Sequence, residues 1–490
     1  MKGVSYRWTH GAVVEALAPV LEAVSEADPT AVTEEDAPYA GVSTDTRRLE
    51  GGELFVALVG ERFDAHDFVE RAVAAGAAGV VVSRELPRHA GVPLYRVSDT
   101  LEGLGLLARY VRRKHPGTVV GITGSLGKTT VKELLRAAVA QDRSVYANPG
   151  NWNNRVGLPL SLLQAPMDAP VLLLEMGTNE PGEIAALTAI AEPDLAVVTT
   201  VAEVHLEKLG SREGVLREKL ALVEGLGPHG QAVVGDDPPE LADAARRRVD
   251  RVHVAGMGAD ADPELTPRES RLGPDGAYRF SWRGRSVELQ IPGRPAVANA
   301  LLALAAARCL GIPDAAAVRG VGSVRAPEMR GEVRHLGAMT VLVDCYNASP
   351  GSVVAAVETL RAFPGGGRRV AVLGSMLELG ERQEELHRDV LDRVAGEGVD
   401  LLVTTGAFAD AAEAWEGDAS PRVLRLPDPV EGWDVLADAL GPDDRVLLKA
   451  SRGERLERLL PLLEERFGEP DTGSDPSPGS GETPPPGGEA

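Results

Sequence analysis

Short apolar runs alternate with amphipathic stretches along this chain, and the period of that alternation predicts its elements. An apolar pattern over 13–24 predicts a helix. A strand at 53–58, a helix at 66–75 and a strand at 79–83 follow, which together make a small α/β unit. A helix at 101–114 and the loop HPG lead into a second series. It has a strand at 118–122, a glycine-rich loop, a helix at 128–140, and buried-strand runs at 171–174 and 195–199. Unbroken apolar strands separated by helices imply a mostly parallel sheet covered on both faces. Around 278–291 the pattern becomes YRFSW-RG-RSVELQI, an antiparallel hairpin, and the alanine-rich run 296–310 is a helix ended by Gly311. A third β/α series has strands at 340–344, 369–374, 401–404, 423–426 and 445–449 and closes with an amphipathic helix at 453–467. That series predicts a doubly wound, Rossmann-like sheet with its ligand edge at the carboxyl ends of the strands.

The expected class is therefore α/β, with domains at 1–98, 99–325 and 326–468. The final stretch, 469–490, holds acids, Pro, Gly and Ser but no Lys or Arg and is expected to stay disordered. A length of 490 residues already requires more than one core. The net charge of −22 argues against a general nucleic-acid binder, though not against an anionic nucleotide as substrate. Two cysteines, no apolar run long enough to span a bilayer and no signal-peptide pattern suit a soluble protein of a reducing cytoplasm.

The strongest chemical signal is GITGSLGKTT at Gly121–Thr130, between a strand and a helix. Glycines there let backbone N–H groups turn toward phosphates, with Gly124, Ser125, Gly127 and Thr130 forming the cradle. Lys128 places an ammonium on the outer phosphates, and the Thr129 hydroxyl suits Mg²⁺. The general pattern G-x-x-x-x-G-K puts its first glycine at position 122, which is Ile122 here. Glu175 ends the apolar run VLLLE, where a carboxylate suits a hard cation, yet it reads equally well as a strand end in solvent. His205, in a loop, and Lys219, on a helix with charged neighbours, are ordinary surface residues by pattern alone.

Motifs in all three segments resemble the Mur ligases, the amide-forming enzymes of peptidoglycan precursor synthesis. They include STDTR at Ser43–Arg47, NPGNWNNRVGLPL at Asn148–Leu160 and EMGTNEPGEI at Glu175–Ile184. HLEKLGS at His205–Ser211, DCYNASPGS at Asp344–Ser352, LGSMLELG at Leu373–Gly380 and LLKASRG at Leu447–Gly453 continue the series. The combination of NWNNRVG, GTNEPGEI and DCYNASPGS is similar to the branch that joins D-Ala-D-Ala to UDP-MurNAc-tripeptide. The resemblance implies a monomeric, cytoplasmic enzyme using ATP and two Mg²⁺ ions, with Thr129, Glu175, His205 and a carbamylated Lys219 as metal ligands. It implies that Asn299 faces the adenine and that Arg330 and Asp344 bring the third domain onto the nucleotide. Ser43, Asp45 and Arg47 would hold the UDP end, Asn151, Asn153 and Asn154 the acceptor side, and Asn347 and Ser352 the dipeptide.

Four positions depart from the family pattern: Pro295 replaces the usual adenine-side His, Ser375 an Asp, Ala450 a Gly, and Ala221 an acid. None of them removes a phosphate or metal group. A folylpolyglutamate synthase-like ligase would share the ATP loop but not STDTR or DCYNASPGS. A sister ligase adding one amino acid would carry a different acceptor sequence in its third domain. A non-enzymatic nucleotide-binding scaffold is opposed by the intact set Lys128, Thr129, Glu175, His205 and Lys219.

Overall fold

The computed structural model describes residues 5–25, 39–60, 62–86, 92–413 and 421–468; the acidic stretch 469–490, read as disordered, lies outside them. The first sheet runs in the order Leu21–Ser25, Leu94–Val97, Gly79–Val82, Leu54–Val56 and Val42–Ser43. Only its edge strand Leu21–Ser25 is antiparallel. That strand corrects the helix expected over 13–24. The helix is His10–Leu17, capped by the Thr9 hydroxyl on Ala12 N at 3.1 Å. Pro19 follows directly, and without an N–H it cannot continue the helical ladder, so the chain turns into a strand.

The central sheet is parallel throughout, in the order Val252–Ala255, Gln231–Gly235, Leu195–Val198, Thr118–Thr123, Val171–Glu175 and Tyr146–Ala147. Val171–Glu175 and Leu195–Val198 are buried along their whole length, as strands covered on both faces must be. Thr118–Thr123 lies between them, where the order of connection reverses, and a crevice opens there beyond the carboxyl ends. Helix Lys128–Ala140 leaves this crevice and packs on Arg294–Cys309 and Asp314–Gly322. From Ala300 to Ala307 the helix Arg294–Cys309 is buried on every side, mostly through alanines, which allow close helix packing. Gly320 sits so near helix Lys128–Ala140 that a β-carbon there would overlap the Ala137 carbonyl.

The expected hairpin is present as Ala277–Trp282 and Arg285–Pro292. Its two turn residues, Arg283 and Gly284, both have positive φ, 50° and 74°, the geometry that matches the strands' own twist. A third strand, Arg268–Leu272, pairs with it; every residue of that strand is exposed, so no hydrophobic alternation marks it in the sequence. The last sheet has the order Glu332–Leu336, Met339–Asp344, Arg445–Lys449, Arg369–Leu373, Leu401–Thr404 and Arg422–Arg425. Only Glu332–Leu336 is antiparallel. Its closing helix is shorter than expected. Two 3-10 turns, Arg452–Glu454 and Leu456–Arg458, meet at the left-handed Arg455 (φ 54°) before helix Leu459–Phe467 begins.

This last sheet, the sheet of the third unit and hence called the third sheet, meets the central unit, hairpin included, at two places. In one, Phe363 and Thr359 lie against Gly276 and Gly293. In the other, His205 hydrogen-bonds Glu378, Arg382 donates to Glu203 at 3.1 Å, and Gly380 abuts Glu207. Trp282 is fully buried between the hairpin and the alanine-rich helix, so Trp282→Ala is expected to cost about 3–5 kcal/mol. A urea unfolding midpoint equal to that of the wild type would show that this packing does not support the central unit.

Candidate active site

A cavity of about 600 Å³ opens between the central and third sheets. Its floor is the loop that joins Thr118–Thr123 to helix Lys128–Ala140. Three bonds shape the loop: Ser125 N to Thr200 O at 2.8 Å, Ser125 Oγ to Ala202 O at 3.2 Å, and Thr123 Oγ1 to Met176 O at 2.9 Å. Gly127 caps the helix in the left-handed region (φ 81°) with the Asn299 amide directly against it; a β-carbon at 127 would overlap that amide. Helix Lys128–Ala140 thus presents free N–H groups and the positive end of its dipole to the cavity. Lys128 Nζ donates to the carbonyls of Gly124 (2.8 Å) and Ser125 (3.2 Å). Desolvation lowers its pKa and Arg330 lowers it further, against the opposing charge of Glu175.

Register puts Glu175 opposite Ile122 at the end of its strand, where its carboxylate is buried. Oε1 accepts from Asn153 Nδ2 at 2.8 Å, while Oε2 is buried with no hydrogen-bond partner. Lys132 Nζ lies 3.6 Å from that oxygen, beyond hydrogen-bond reach, so the carboxylate keeps an oxygen that suits a hard cation. The Thr129 hydroxyl and the His205 imidazole line the same cavity. This is a sparse donor set, and no cluster of three or more His, Cys, Asp or Glu forms a cage among the described residues. It matches Mg²⁺, which keeps several waters and is held by one or two protein oxygens together with phosphates. His205 occupies the left-handed region (φ 53°), and its Nδ1 is engaged by Glu378 of the third unit, with no hydrogen bond to Nε2 among the described residues.

Lys219 lies behind this edge, fully buried, and is not among the cavity-lining residues. Burial holds its pKa well below the ordinary lysine value and the positive charge of Lys128 adds to the shift, only partly opposed by Glu218 and Glu183. Its neighbour Glu218 accepts from Thr178 Oγ1, Ile184 N and Gly182 N at 3.2, 2.8 and 2.7 Å, fixing the loop that carries Thr178 and Asn179 into the cavity.

From the third sheet come Arg330, Asp344, Tyr346, Asn347, Lys449 and Arg452. Asp344 and Lys449 end adjacent parallel strands in register, and Lys449 Nζ donates to Asp344 Oδ2 at 2.7 Å and to Asn347 O at 2.9 Å. Burial raises the Asp344 pKa, against the pull of Lys449 and Arg330. The Arg330 guanidinium stacks 3.8 Å from the Tyr346 ring centre. Ser352 lines the cavity, but its hydroxyl is also spent in the capping box of helix Pro350–Ala362, accepting from Ser349 N at 2.9 Å. Pro295 stands in the first turn of Arg294–Cys309, where a missing N–H costs nothing, and with Pro292, Ala296, Ala355 and Ala356 it forms an apolar wall.

The cavity therefore gathers Ser125, Gly127, Lys128, Thr129, Thr130, Asn151, Asn153, Asn154, Glu175, His205, Asn299, Arg330, Asp344, Asn347 and Ser352. Asn154 also caps helix Gly157–Gln164, its Oδ1 accepting from Gly157 N at 2.8 Å. Ser43, Asp45 and Arg47 are not among its lining residues. Ser43 ends strand Val42–Ser43, and just beyond it Asp45 and Arg47 pair in two bonds of 2.9 and 2.8 Å. Hydrogen bonding from Arg47 holds the Asp45 pKa down to about 2. Sequence reasoning passed over Lys132, Asn148, Glu218, Tyr346, Glu378, Lys449 and Arg452. Lys449 carried a signal, since it ends a buried apolar strand, as Glu175 does.

Family models match three consecutive stretches: the Mur ligase family catalytic domain at 38–112, the Mur ligase middle domain at 122–307, and the Mur ligase glutamate ligase domain at 329–452. The chain belongs to the Mur ligase family. A relative from Bacillus subtilis, named UDP-N-acetylmuramoyl-tripeptide--D-alanyl-D-alanine ligase, is 35% identical over 87% of this chain and 93% of its own. The crystal structure of MurF from Acinetobacter baumannii superposes with a TM-score of 0.84 at 28% identity, covering 94% of this chain and all of that one. MurF ligase from Thermotoga maritima in complex with ADP has a TM-score of 0.78 at 31% identity, covering 87% and 97%.

Gly127→Ala is expected to weaken ADP binding by tenfold or more, about 1.4 kcal/mol, because the added methyl strains the loop and displaces Asn299. Titration calorimetry giving a wild-type affinity would remove the loop from the nucleotide site.

Proposed function

We propose that this protein joins D-alanyl-D-alanine to UDP-N-acetylmuramoyl-tripeptide with ATP, releasing ADP and phosphate, as a cytoplasmic enzyme of peptidoglycan synthesis. One observation carries the reading: a single cavity holds the phosphate loop with Glu175 on one wall and Asp344, Asn347 and Lys449 on the other. The relatives' names supply the substrates. In this reading the first unit (1–98) takes the UDP end through Ser43, Asp45 and Arg47, the central unit (99–325) takes ATP, and the third (326–468) takes the dipeptide near Asn347 and Ser352.

A carboxylate does not condense with an amine directly, because hydroxide is its leaving group. Transfer of the γ-phosphoryl of ATP to the tripeptide carboxylate gives an acyl phosphate, and the dipeptide amine then displaces phosphate through a tetrahedral intermediate. Lys128 exchanges its two loop carbonyls for phosphate oxygens and neutralises charge as it shifts. Asn153 orients the Glu175 carboxylate, and Asn151 and Asn153 flank the carboxylate to be activated. Arg330, held flat on Tyr346, and Lys449 bring positive charge from the opposite wall. Thr129 and Glu175 would hold one Mg²⁺, and His205 with a carbamylated Lys219 a second; the ions would supply electrostatic stabilisation of the transferring phosphoryl group. Enclosure between two sheets keeps water from the acyl phosphate.

Phosphate release is expected only when ATP, the UDP-linked tripeptide and D-Ala-D-Ala are all present. Turnover with glutamate or meso-diaminopimelate in place of the dipeptide would overturn the assignment. Burial favours the neutral form of the Lys219 amine, the form that attacks CO₂; an N–C bond forms, a proton leaves, and the product is an anionic carbamate. Its yield rises with pH because only the neutral amine reacts. With ¹³C-bicarbonate, a carbamate resonance should strengthen as the pH is raised and vanish in Lys219→Arg. A wild-type spectrum without that resonance at the higher pH would retire the modification.

A further inference from the structure

The helix that begins at Lys128 carries a second lysine one turn on, and the mechanism above leaves it unused. Lys132 is 1% exposed, among the largest fully buried side chains of the protein. Lysine is rarely buried so completely unless its ammonium is compensated. Here Nζ donates to the carbonyls of Asn148 at 3.0 Å and Gly150 at 3.3 Å, and lies 3.6 Å from Glu175 Oε2 and 3.8 Å from Glu133 Oε1. Both carbonyls belong to the segment leading into Asn151, Asn153 and Asn154. Asn148 binds the same region to the strand end: Glu175 N donates to its Oδ1 at 2.9 Å, and its Nδ2 donates to Glu175 O at 3.0 Å and Trp152 O at 2.8 Å.

We propose that Lys132 is a positioning residue that ties the acceptor-side loop Asn148–Asn154 to the nucleotide helix and holds the Glu175 carboxylate in place at the cavity edge. Helix Lys128–Ala140 then serves two substrates at once, with Lys128 and Thr129 facing the phosphates and Lys132 holding the segment opposite. The geometry explains why a charge is buried at this point. The 148–154 segment is irregular and follows a strand of only two residues, Tyr146–Ala147, so its carbonyls need a donor that the sheet does not provide. A charged donor satisfies two carbonyls and the carboxylate together.

The assignment of the acceptor side rests on the proposed function, so the test includes a readout that needs no turnover. Lys132→Met keeps length and removes the charge. It is expected to raise the KM for the UDP-linked tripeptide by about tenfold or more while ADP affinity stays within about threefold of wild type. Tryptic cleavage after the exposed Arg155, followed by mass spectrometry on the substrate-free protein, should accelerate in parallel. Lys132→Gln keeps a donor for the carbonyls without the charge; its values should fall between the two, and it carries the same comparison if the Met variant does not fold. An unchanged Arg155 cleavage rate, or equal losses of ADP and tripeptide affinity, overturns the proposal. A wild-type enzyme that does not turn over these substrates, yet shows the cleavage difference, would instead fail the proposed function and leave the tie between helix and loop standing.

Discussion

Three lysine amines crowd the carboxyl end of the central sheet, and the site depends on how each positive charge is accommodated away from bulk water. Lys128 uses two carbonyls of its own loop, an arrangement local to the cavity floor. Lys132 uses carbonyls of a neighbouring segment and the edge of a carboxylate, a fixed arrangement within the fold. Lys219 is fully buried, and desolvation and the charge of Lys128 outweigh Glu218 and Glu183, pushing it toward the neutral amine. The same residue type therefore meets three different electrostatic environments, because burial and partners differ from one position to the next. Glu175 is common to the first two: its charge acts on Lys128, and its Oε2, without a hydrogen bond, lies 3.6 Å from Lys132 Nζ.

The third sheet repeats this logic in reverse. There a lysine and an aspartate close a pair across neighbouring strands, and the pair also holds the Asn347 carbonyl. A parallel sheet ends all its strands at one edge, so two such sheets facing each other bring two sets of strand-end residues to one cavity. Neither set forms a complete site alone. The first sheet stands apart from this arrangement; its Asp45–Arg47 pair satisfies itself locally, as an exposed pair can.

How much of this was legible in the sequence follows from the kind of signal each part leaves. The phosphate loop was readable because glycine spacing and a lysine at a helix start are local requirements of backbone geometry. The strands of the two large sheets were readable because burial on both faces leaves unbroken apolar runs. Arg268–Leu272 was not, since a fully exposed strand leaves no alternation, and the helix expected over 13–24 was overextended because apolar spacing was followed through Pro19. Lys132 was missed for a related reason. In a helical pattern a lysine beside Glu133 reads as a solvated face, and only the fold shows the loop closed over it. Glu378 could not have been paired with His205 from sequence, because the contact joins two separately folded sheets.

The seat of the third sheet has a consequence of its own. Phe363 and Thr359 rest on Gly276 and Gly293, two positive-φ glycines with no room for a β-carbon. Those positions work as the fulcrum of a pair of jaws, and a single methyl group at either one would act as a wedge. It would part the two walls of the cavity while leaving every chemical group in both intact, so the enzyme's sensitivity to change extends to residues that carry no chemistry at all.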